Sequence, residues 1–524
     1  MESRKLLSLP SVRLEVDYCE ALPCAQDLDP HQSQTVPDAC ASVAQPEPVT
    51  APELIAWSAG CASELGFAAP ESAEEQRHWA NLLSGNALLD GSRPYAMRYG
   101  GHQFGNWAGQ LGDGRVINLG ELRDARGALH TVQLKGAGRT NFSRGADGRA
   151  VLRSSLREYV LSEAMAALGV PTSRALALVS TGDAVVRDML YDGHPEPEPG
   201  AIVTRVAPSF VRIGHFEIHA ASGETQLLQQ LLDYCLERSP FAHGNDAVAW
   251  FGQLCEETGR LASMWMQLGF VHGVLNTDNT SVLGLTIDYG PFGWLEPFDP
   301  GWTPNTTDAH GRRYAFGRQP EILQWNLGCL GSALMSTGLP RAALEQALQQ
   351  YSASYTQHFY AGMGEKFGVG PLQAQDLDWL QEGFELLRLF RLDWTRWFCA
   401  LGEIDPSTRP DATKVFTQCS YASEPPTEKS LQRAQRWWDE YLQRRLTSSQ
   451  TPDHMRAVNP FVVPRNWLLA ECIESAESGD MQPLESLMRA LSSPFDRPDQ
   501  EHYMQMRPAW AEHKPGCSML SCSS

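Results

Sequence analysis

Two short segments carry side chains that could bind a metal ion and phosphate groups. HGVLNTDN, residues 272–279, ends in Asp278 and Asn279, and IDYG, residues 287–290, contributes Asp288. Amide and carboxylate oxygens from two loops are ligands that Mg²⁺ accepts when phosphate and water complete its coordination shell. The two segments therefore predict a site for transfer of a phosphorus-containing group, with Asn279 and Asp288 as metal ligands.

The first segment departs from the phosphotransferase pattern that it otherwise follows. In that pattern an Asp comes two residues after the His, but here Val274 occupies the position. Valine has no titratable atom and cannot serve as the general base. Asp278 is the nearest replacement, and a base displaced along the loop implies a different substrate pose or attack on a different phosphate. The alternative is that Asp278 is an ordinary turn residue, since NTDN is rich in turn formers. We interpret His272 as structural.

A glycine-rich segment precedes these loops. GQLGDGRV places Gly112 and Gly114 before a predicted strand, followed by the cation Arg115. Glycines allow backbone amides to approach phosphate closely. On its own the segment is more typical of a tight turn than of a phosphate site, and no Gly-Lys-Ser/Thr follows it, so it is not a Walker A loop.

A lysine and two glutamates complete the set. Lys135 ends the next predicted strand, and the predicted helix after it offers Glu158 and Glu163. In kinase-like sites a strand Lys holds nucleotide phosphates and a helix Glu positions that Lys. The alternative for Lys135 is a side chain that reaches solvent at a strand edge. The order of all the parts, rather than any one of them, predicts the kinase-like plan.

A cluster of arginines lies between the lysine and the helix glutamates. It comprises Arg139, Arg144, Arg149, Arg153 and Arg157. Arginine forks suit phosphate. The alternative is a solvated helix face paired with Asp and Glu, and the sequence does not choose between the two.

The elements that must position these residues divide the chain at about residue 222 into a strand-rich half and a helix-rich half. Predicted strands cover 115–122 and 129–135, a hairpin covers 174–188, and a short strand in 282–290 leads to Asp288. Predicted helices cover 52–67, 154–169, 224–239 and 246–270, and helices dominate again over 320–400 and 427–446.

The composition argues against several classes of binding partner. The 524 residues carry a net charge of −20, which argues against nucleic acid or an anionic membrane as the main partner. No run of 18 apolar residues or signal-peptide core is found, so we expect a cytoplasmic protein. The 12 cysteines include no CxxC pair, which argues against a zinc site. Cys517 and Cys522 lie near the chain end, where we expect exposed, redox-active thiols.

Long motifs resemble one known family. YGGHQFGNWAGQLGDGR, LKGAGRTNFSRGADGRAVLRSSLREY and HGVLNTDNTSVLGLTIDYGPFGWLEPFDP closely resemble the selenoprotein O family, and NPFVVPRNWLLAECIESAESGD is similar to its C-terminal region. The resemblance covers roughly residues 90–524. It implies an α+β, two-lobed protein-kinase-like fold with a strand-rich N-lobe and a helical C-lobe. The implied divisions are an N-terminal extension over 1–89 that wraps or flanks the core, an N-lobe over 90–222 and a C-lobe over 223–524.

The family resemblance also implies an activity. Members transfer AMP from ATP to Ser, Thr or Tyr hydroxyls of proteins with release of pyrophosphate, and some bacterial relatives transfer UMP from UTP. ATP is held flipped relative to ordinary kinases, so the α-phosphate faces the acceptor. Protein substrates, a Mg²⁺ or Mn²⁺ ion and a monomeric enzyme are expected. The alternatives are an ordinary kinase-like phosphotransferase and a non-catalytic, redox-responsive nucleotide-binding scaffold.

Site residues follow from motif positions. The resemblance implies nucleotide binding by Gly112, Gly114, Arg115, Lys135, Asp147, Gly148, Arg205, Arg212 and Asp288. It implies Asp278 as the base, Asn279 and Asp288 as metal ligands and Glu158 as the partner of Lys135. Cys522 matches the family's C-terminal selenocysteine or cysteine and is the candidate redox residue.

Overall fold

Strands dominate the first half of the chain. The computed structural model describes residues 12–15, 17–32, 34–189, 192–517 and 519–521. The strands are β1 (Cys24–Ala25), β2 (Ala41–Val43), β3 (Glu53–Trp57), β4 (Tyr95–Met97), β5 (His102–Gln103), β6 (Asn106–Trp107), β7 (Val116–Arg123), β8 (Leu129–Lys135), β9 (Arg174–Arg187), β10 (Glu196–Ala207), β11 (Phe270–Val271) and β12 (Gly293–Trp294).

Most helices follow residue 212. They are α1 (Tyr18–Ala21), α2 (Ala59–Leu65), α3 (Ala73–Leu83), α4 (Leu152–Ala167), α5 (Ile213–Ala221), α6 (Thr225–Arg238), α7 (Ala247–Leu268), α8 (Gln319–Leu334), α9 (Arg341–Phe367), α10 (Leu377–Leu389), α11 (Trp394–Gly402), α12 (Ala412–Gln418), α13 (Glu428–Thr447), α14 (Pro452–Val458), α15 (Asn466–Glu477) and α16 (Gln482–Leu491). Among the described residues, no helix is both long and apolar enough to cross a bilayer.

The main sheet has eight strands in the order β1-β2-β4-β7-β8-β10-β9-β3. The β1–β2 pair is parallel and the remaining pairs are antiparallel. Neighbouring residues of β10 point to opposite faces, as strand geometry requires. Ile202 joins the core that includes Trp79 of α3, whereas Val203 joins the core that includes Val160 of α4. Both faces are therefore covered, and central strands β7 and β8 are largely buried.

The helical half is built around α7, which packs along α9. The Asp246 side chain caps the start of α7 by accepting from the amides of Val248 and Ala249, and Gly269 ends the helix with φ 76°. A second core rich in aromatic residues forms around α10, α11 and α13. The predicted α+β class, with strands before and helices after about residue 222, is confirmed.

Several local predictions are wrong. The predicted hairpin over 174–188 is one long strand, β9, because β10 pairs with it almost to its end. The predicted helix over 52–67 contains strand β3 before α2, since β3 completes the sheet edge beside β9. The 282–290 segment holds no regular strand. The division at residue 90 stays a prediction; β1, β2 and β3 of the main sheet come from the segment before it.

Candidate functional site

A cleft of about 780 Å³ brings most predicted site residues together. Its lining includes Gly112, Gly114, Arg115, Lys135, Asp147, Gly148, Arg212, Asp278, Asn279 and Asp288. These residues come from the loop before β7, the end of β8, the 139–149 loop, the start of α5 and the loop between β11 and β12. Glu158 and Arg205 are buried behind this lining.

Lys135 is held by Glu158 rather than by Glu163. Its Nζ lies 2.6 Å from Glu158 Oε2, across the junction of β8 and α4. Glu163 instead pairs with Arg174 at 2.7 Å. Burial lowers the pKa of Lys135, and the Glu158 carboxylate opposes that effect. The helix glutamate therefore fixes the lysine at the edge of the cleft.

Asp288 is the centre of a buried charge cluster. Its backbone φ is +57°, an uncommon conformation for a residue other than glycine. One carboxylate oxygen contacts Arg205 and the other contacts Arg212, while Lys135 Nζ lies 3.8 Å away. Burial raises the pKa of Asp288, but the cations, with Arg212 the strongest, hold it well below its ordinary value. Asp288 is therefore an ionised carboxylate.

Arg212 and Arg205 differ in whether the side chain reaches the cleft. Arg212 lines the cleft, donates to the Asp278 carbonyl at 2.9 Å and lies 4.8 Å above the Tyr99 ring. Arg205 is fully buried and contacts Glu158 at 3.0 Å and Gln133 at 2.6 Å. Arg205 therefore affects the cleft indirectly, through its contact with Asp288.

Asp278 presents an unsatisfied carboxylate. Its Oδ2 accepts from Gln103 Nε2 at 3.2 Å, whereas its Oδ1 is buried and has no hydrogen-bond partner in the described part of the chain. Burial raises its pKa to about 6, with opposing effects from Gln103 and Arg212. A carboxylate with a free oxygen and a pKa near neutrality fits a general base. Val274 lines the same cleft but has no such atom.

The donor set fits a hard divalent cation. Asn279 donates its Nδ2 to the Val274 carbonyl at 3.0 Å, which leaves its amide oxygen as a ligand atom. Asp288 is ionised, and each of its oxygens keeps a lone pair beyond its arginine contact. Asn279 and Asp288 therefore suit Mg²⁺ or Mn²⁺.

The loop after β8 is shaped by close backbone contacts. Gly148 has φ +68°, and a Cβ there would lie 2.0 Å from the Gly138 carbonyl oxygen. Asp147 accepts from Arg187 at 2.6 Å and from the Arg149 amide at 2.9 Å. These contacts hold the loop against the cleft.

Some arginines of the 139–157 cluster are placed for phosphate binding, and others form structural contacts. Arg139, Arg144 and Arg149 line the cleft. Arg153 pairs with Glu198 at 2.9 Å, and Arg157 is buried 4.3 Å from the Phe292 ring. Only the first part of the cluster is thus placed to meet a phosphate.

Some contributors were not predicted. Gln103, Gln133 and Tyr99 each touch a predicted site residue that lies far from them in sequence. Tyr99 and Gln103 belong to the YGGHQFGNWAGQLGDGR motif, which was the signal that could have found them. The expectation that Cys517 is exposed is wrong: it is buried, and burial raises its pKa to about 11. Cys522 lies outside the described residues.

Comparison with known proteins places the chain among named enzymes. The family model described as "Protein adenylyltransferase SelO" matches residues 28–492. A protein of Xanthomonas campestris pv. campestris (strain B100) named "Protein nucleotidyltransferase YdiU" is 48% identical over 494 residues, covering 92% of this chain and 94% of the relative. Relatives with the same name are 47% identical in Azoarcus sp. (strain BH72), covering 97% and 98%, and 45% identical in Xylella fastidiosa (strain 9a5c), covering 98% and 99%.

Proposed function

Because the chain belongs to the SelO family of protein adenylyltransferases and is a nucleotidyltransferase, we propose that it transfers AMP from ATP to Ser, Thr or Tyr hydroxyls of proteins. The acceptor oxygen bonds to the α-phosphorus, the bond from that phosphorus to the bridging oxygen breaks, and pyrophosphate leaves. The hydroxyl proton passes to a base in the cleft. The proposal extends to UMP transfer from UTP, which involves the same bonds.

The main support for the proposal is that the 272–279 loop lacks a base at residue 274 and offers one at Asp278 instead. Val274 occupies the usual base position, and Asp278 offers to the same cleft a buried oxygen that forms no hydrogen bond with any described residue. Its raised pKa lets it take a proton near neutral pH and lose it again. A base at Asp278 rather than at residue 274 supports attack at a different phosphate, namely the α-phosphate of a flipped nucleotide.

Charge stabilisation and positioning complete the mechanism. Lys135 and Arg212 face the cleft and would bind phosphate oxygens, with Arg115 nearby. Arg205 would act indirectly, by holding Asp288 and Glu158. Gly112, Gly114, Asp147 and Gly148 would shape the nucleotide-binding wall.

Asn279 and Asp288 would hold a Mg²⁺ or Mn²⁺ ion, whose charge offsets that of the phosphates and the leaving pyrophosphate. Asp288 is kept ionised for this role by Arg212 and Arg205. Asn279 is kept in place by its hydrogen bond to Val274.

Mass spectrometry tests the proposal. The purified protein and a protein lysate are incubated with ATP and Mg²⁺ or Mn²⁺, and modified peptides are sequenced. Addition of AMP to hydroxyl side chains, lost in Asp278→Asn, is the expected result. Addition of phosphate alone would identify a kinase, and ATP binding with no adduct would identify a scaffold; either would overturn the proposal. UTP in place of ATP tests the uridylyl reaction.

A further inference from the structure

We propose that His102, Glu217 and Cys329 form a second metal site, for a divalent transition-metal ion such as Zn²⁺, outside the nucleotide cleft. The three residues lie on β5, α5 and α8. One ligand atom from each lies within 4.8 Å of the others. Helices α5 and α8 pack against each other, so two ligands stand on a rigid frame.

The chemistry of the three ligands favours a borderline transition metal. Imidazole nitrogen, carboxylate oxygen and thiolate sulfur are the ligands that Zn²⁺ uses, whereas Mg²⁺ prefers oxygen alone. Three protein ligands leave a fourth tetrahedral position for water. The site has no CxxC signature because its ligands are more than 100 residues apart along the chain.

An unsatisfied buried carboxylate oxygen points independently to a ligand. Glu217 is 6% exposed, and its Oε1 lies 2.6 Å from His102 Nδ1. Its Oε2 is buried, and apart from the Cys329 thiol, which faces the Glu217 carboxylate, it meets no hydrogen-bond donor among the described residues. A buried polar atom is costly unless it is paired. A cation between Glu217, His102 and Cys329 would satisfy it.

The surrounding charges are compatible with such an ion. Glu217 and a Cys329 thiolate together carry two negative charges, which balance a divalent ion. Arg313 is the nearby cation, but its guanidinium lies 4.7 Å above the Trp325 ring, and no ion pair joins it to Glu217 in the described structure. Cys329 binds a metal as its thiolate, so each bound ion displaces the thiol proton.

The site lies next to the proposed base. The His102 amide donates to Thr277 Oγ1 at 2.7 Å, and the neighbouring Gln103 donates to Asp278. The rings of Trp107 and Trp325 each lie 5.3 Å from the His102 ring and cover it. A bound ion would therefore anchor the β5–β6 turn that holds Asp278.

Metal binding without nucleotide tests the proposal. The full chain is stripped with chelator, dialysed against Zn²⁺ and analysed for bound metal, and Co²⁺ is added separately to detect thiolate-to-cobalt absorption. We expect one tightly bound ion per chain and a cobalt–thiolate band, both lost in Cys329→Ser and His102→Gln. Cys24→Ser, at another partly buried cysteine, and Asn279→Ala, in the nucleotide cleft, should retain both signals.

Two further measurements separate metal loss from misfolding. Zn²⁺ should raise the Tm of the parent chain and leave the Tm of folded Cys329→Ser unchanged. X-ray absorption at the zinc edge should show one sulfur among nitrogen or oxygen ligands. Failure of the parent chain to retain Zn²⁺, or equal retention by Cys329→Ser, would overturn the proposal.

Discussion

Lys135 Nζ lies 2.6 Å from the Glu158 carboxylate, and both groups are buried where β8 meets α4. Glu158 also accepts from Arg205 at 3.0 Å, so one carboxylate neutralises two cations behind the cleft. The ion pair therefore links the position of Lys135, the proposed phosphate-binding residue, to the helix behind it.

Replacing this glutamate should affect both activity and stability. Glu158→Gln leaves two buried cations with too little negative charge, and we expect a loss of about 3 kcal/mol in the free energy of unfolding. Transfer should fall at least tenfold because Lys135 is no longer held. Chemical denaturation and initial rates measure the two effects. Glu163→Gln is the matched control: it breaks the Arg174 pair on the same helix, so it should lose stability but keep transfer once folded.

Transfer should depend on pH through Asp278. Burial raises its pKa to about 6, so the carboxylate is ionised above that pH and protonated below it. A base must be ionised, so the rate should fall as pH drops through 6. Asp278→Asn should lose transfer by about 10²–10⁴-fold at pH 8. A rate profile that stays flat from pH 8 to 5 would contradict the assignment.

The same substitution should not destabilise the fold at pH 8. A raised carboxyl pKa in the folded state means that ionisation costs stability, and this cost grows as pH rises from about 4 through 6. Asp278→Asn removes that cost, so the variant should be at least as stable as the parent at pH 8. The advantage should shrink on acidification. Denaturation at both pH values distinguishes a catalytic carboxylate from one that supports the fold.

Asn279 should control the metal requirement. Asn279→Ala removes a proposed ligand and one hydrogen bond to Val274, which costs about 1 kcal/mol of stability. We expect the Mg²⁺ concentration for half-maximal transfer to rise at least tenfold. Asn279→Asp restores an oxygen ligand and should recover part of the activity. An unchanged Mg²⁺ dependence in Asn279→Ala would remove this residue from the metal site.

Gly148 should be required for nucleotide binding. In Gly148→Ala the new Cβ would lie 2.0 Å from the Gly138 carbonyl oxygen, so the loop must move, and we expect at least tenfold weaker ATP binding by calorimetry. Gly145→Ala is the matched control on the same loop. Gly145 also has positive φ, but no atom of the described residues outside its immediate chain neighbours lies within 4 Å of its Cβ position. Equal effects of the two substitutions would show that φ strain alone matters.

Local patterns predicted the elements that position the site. The strands that became β7 and β8 and the helices that became α4, α6 and α7 have clear periodicity. The turn-like STGD within 174–188 predicted a hairpin, but a β-bulge lets β9 continue beside β10. Pairing with a distant strand outweighed the local turn signal, as it did for β3.

Motif order predicted which residues share the cleft, but not how they contact each other. Gln103 and Asp278 are 175 residues apart, and no periodicity links them. The choice of Glu158 over Glu163 depends on how α4 is rotated against the sheet, which its sequence left open. Burial of Arg205 behind Asp288 is likewise a consequence of tertiary packing.

In the proposed reaction the acceptor hydroxyl attacks the α-phosphate of ATP, with Asp278 as the base. Parallel reactions with ATP labelled at the α- or the γ-phosphate test it most directly, with Asp278→Asn as the control. We expect label to enter protein from the α-position only, pyrophosphate to be released and the variant to incorporate far less. Incorporation of label from the γ-position would show that the γ-phosphate is attacked instead.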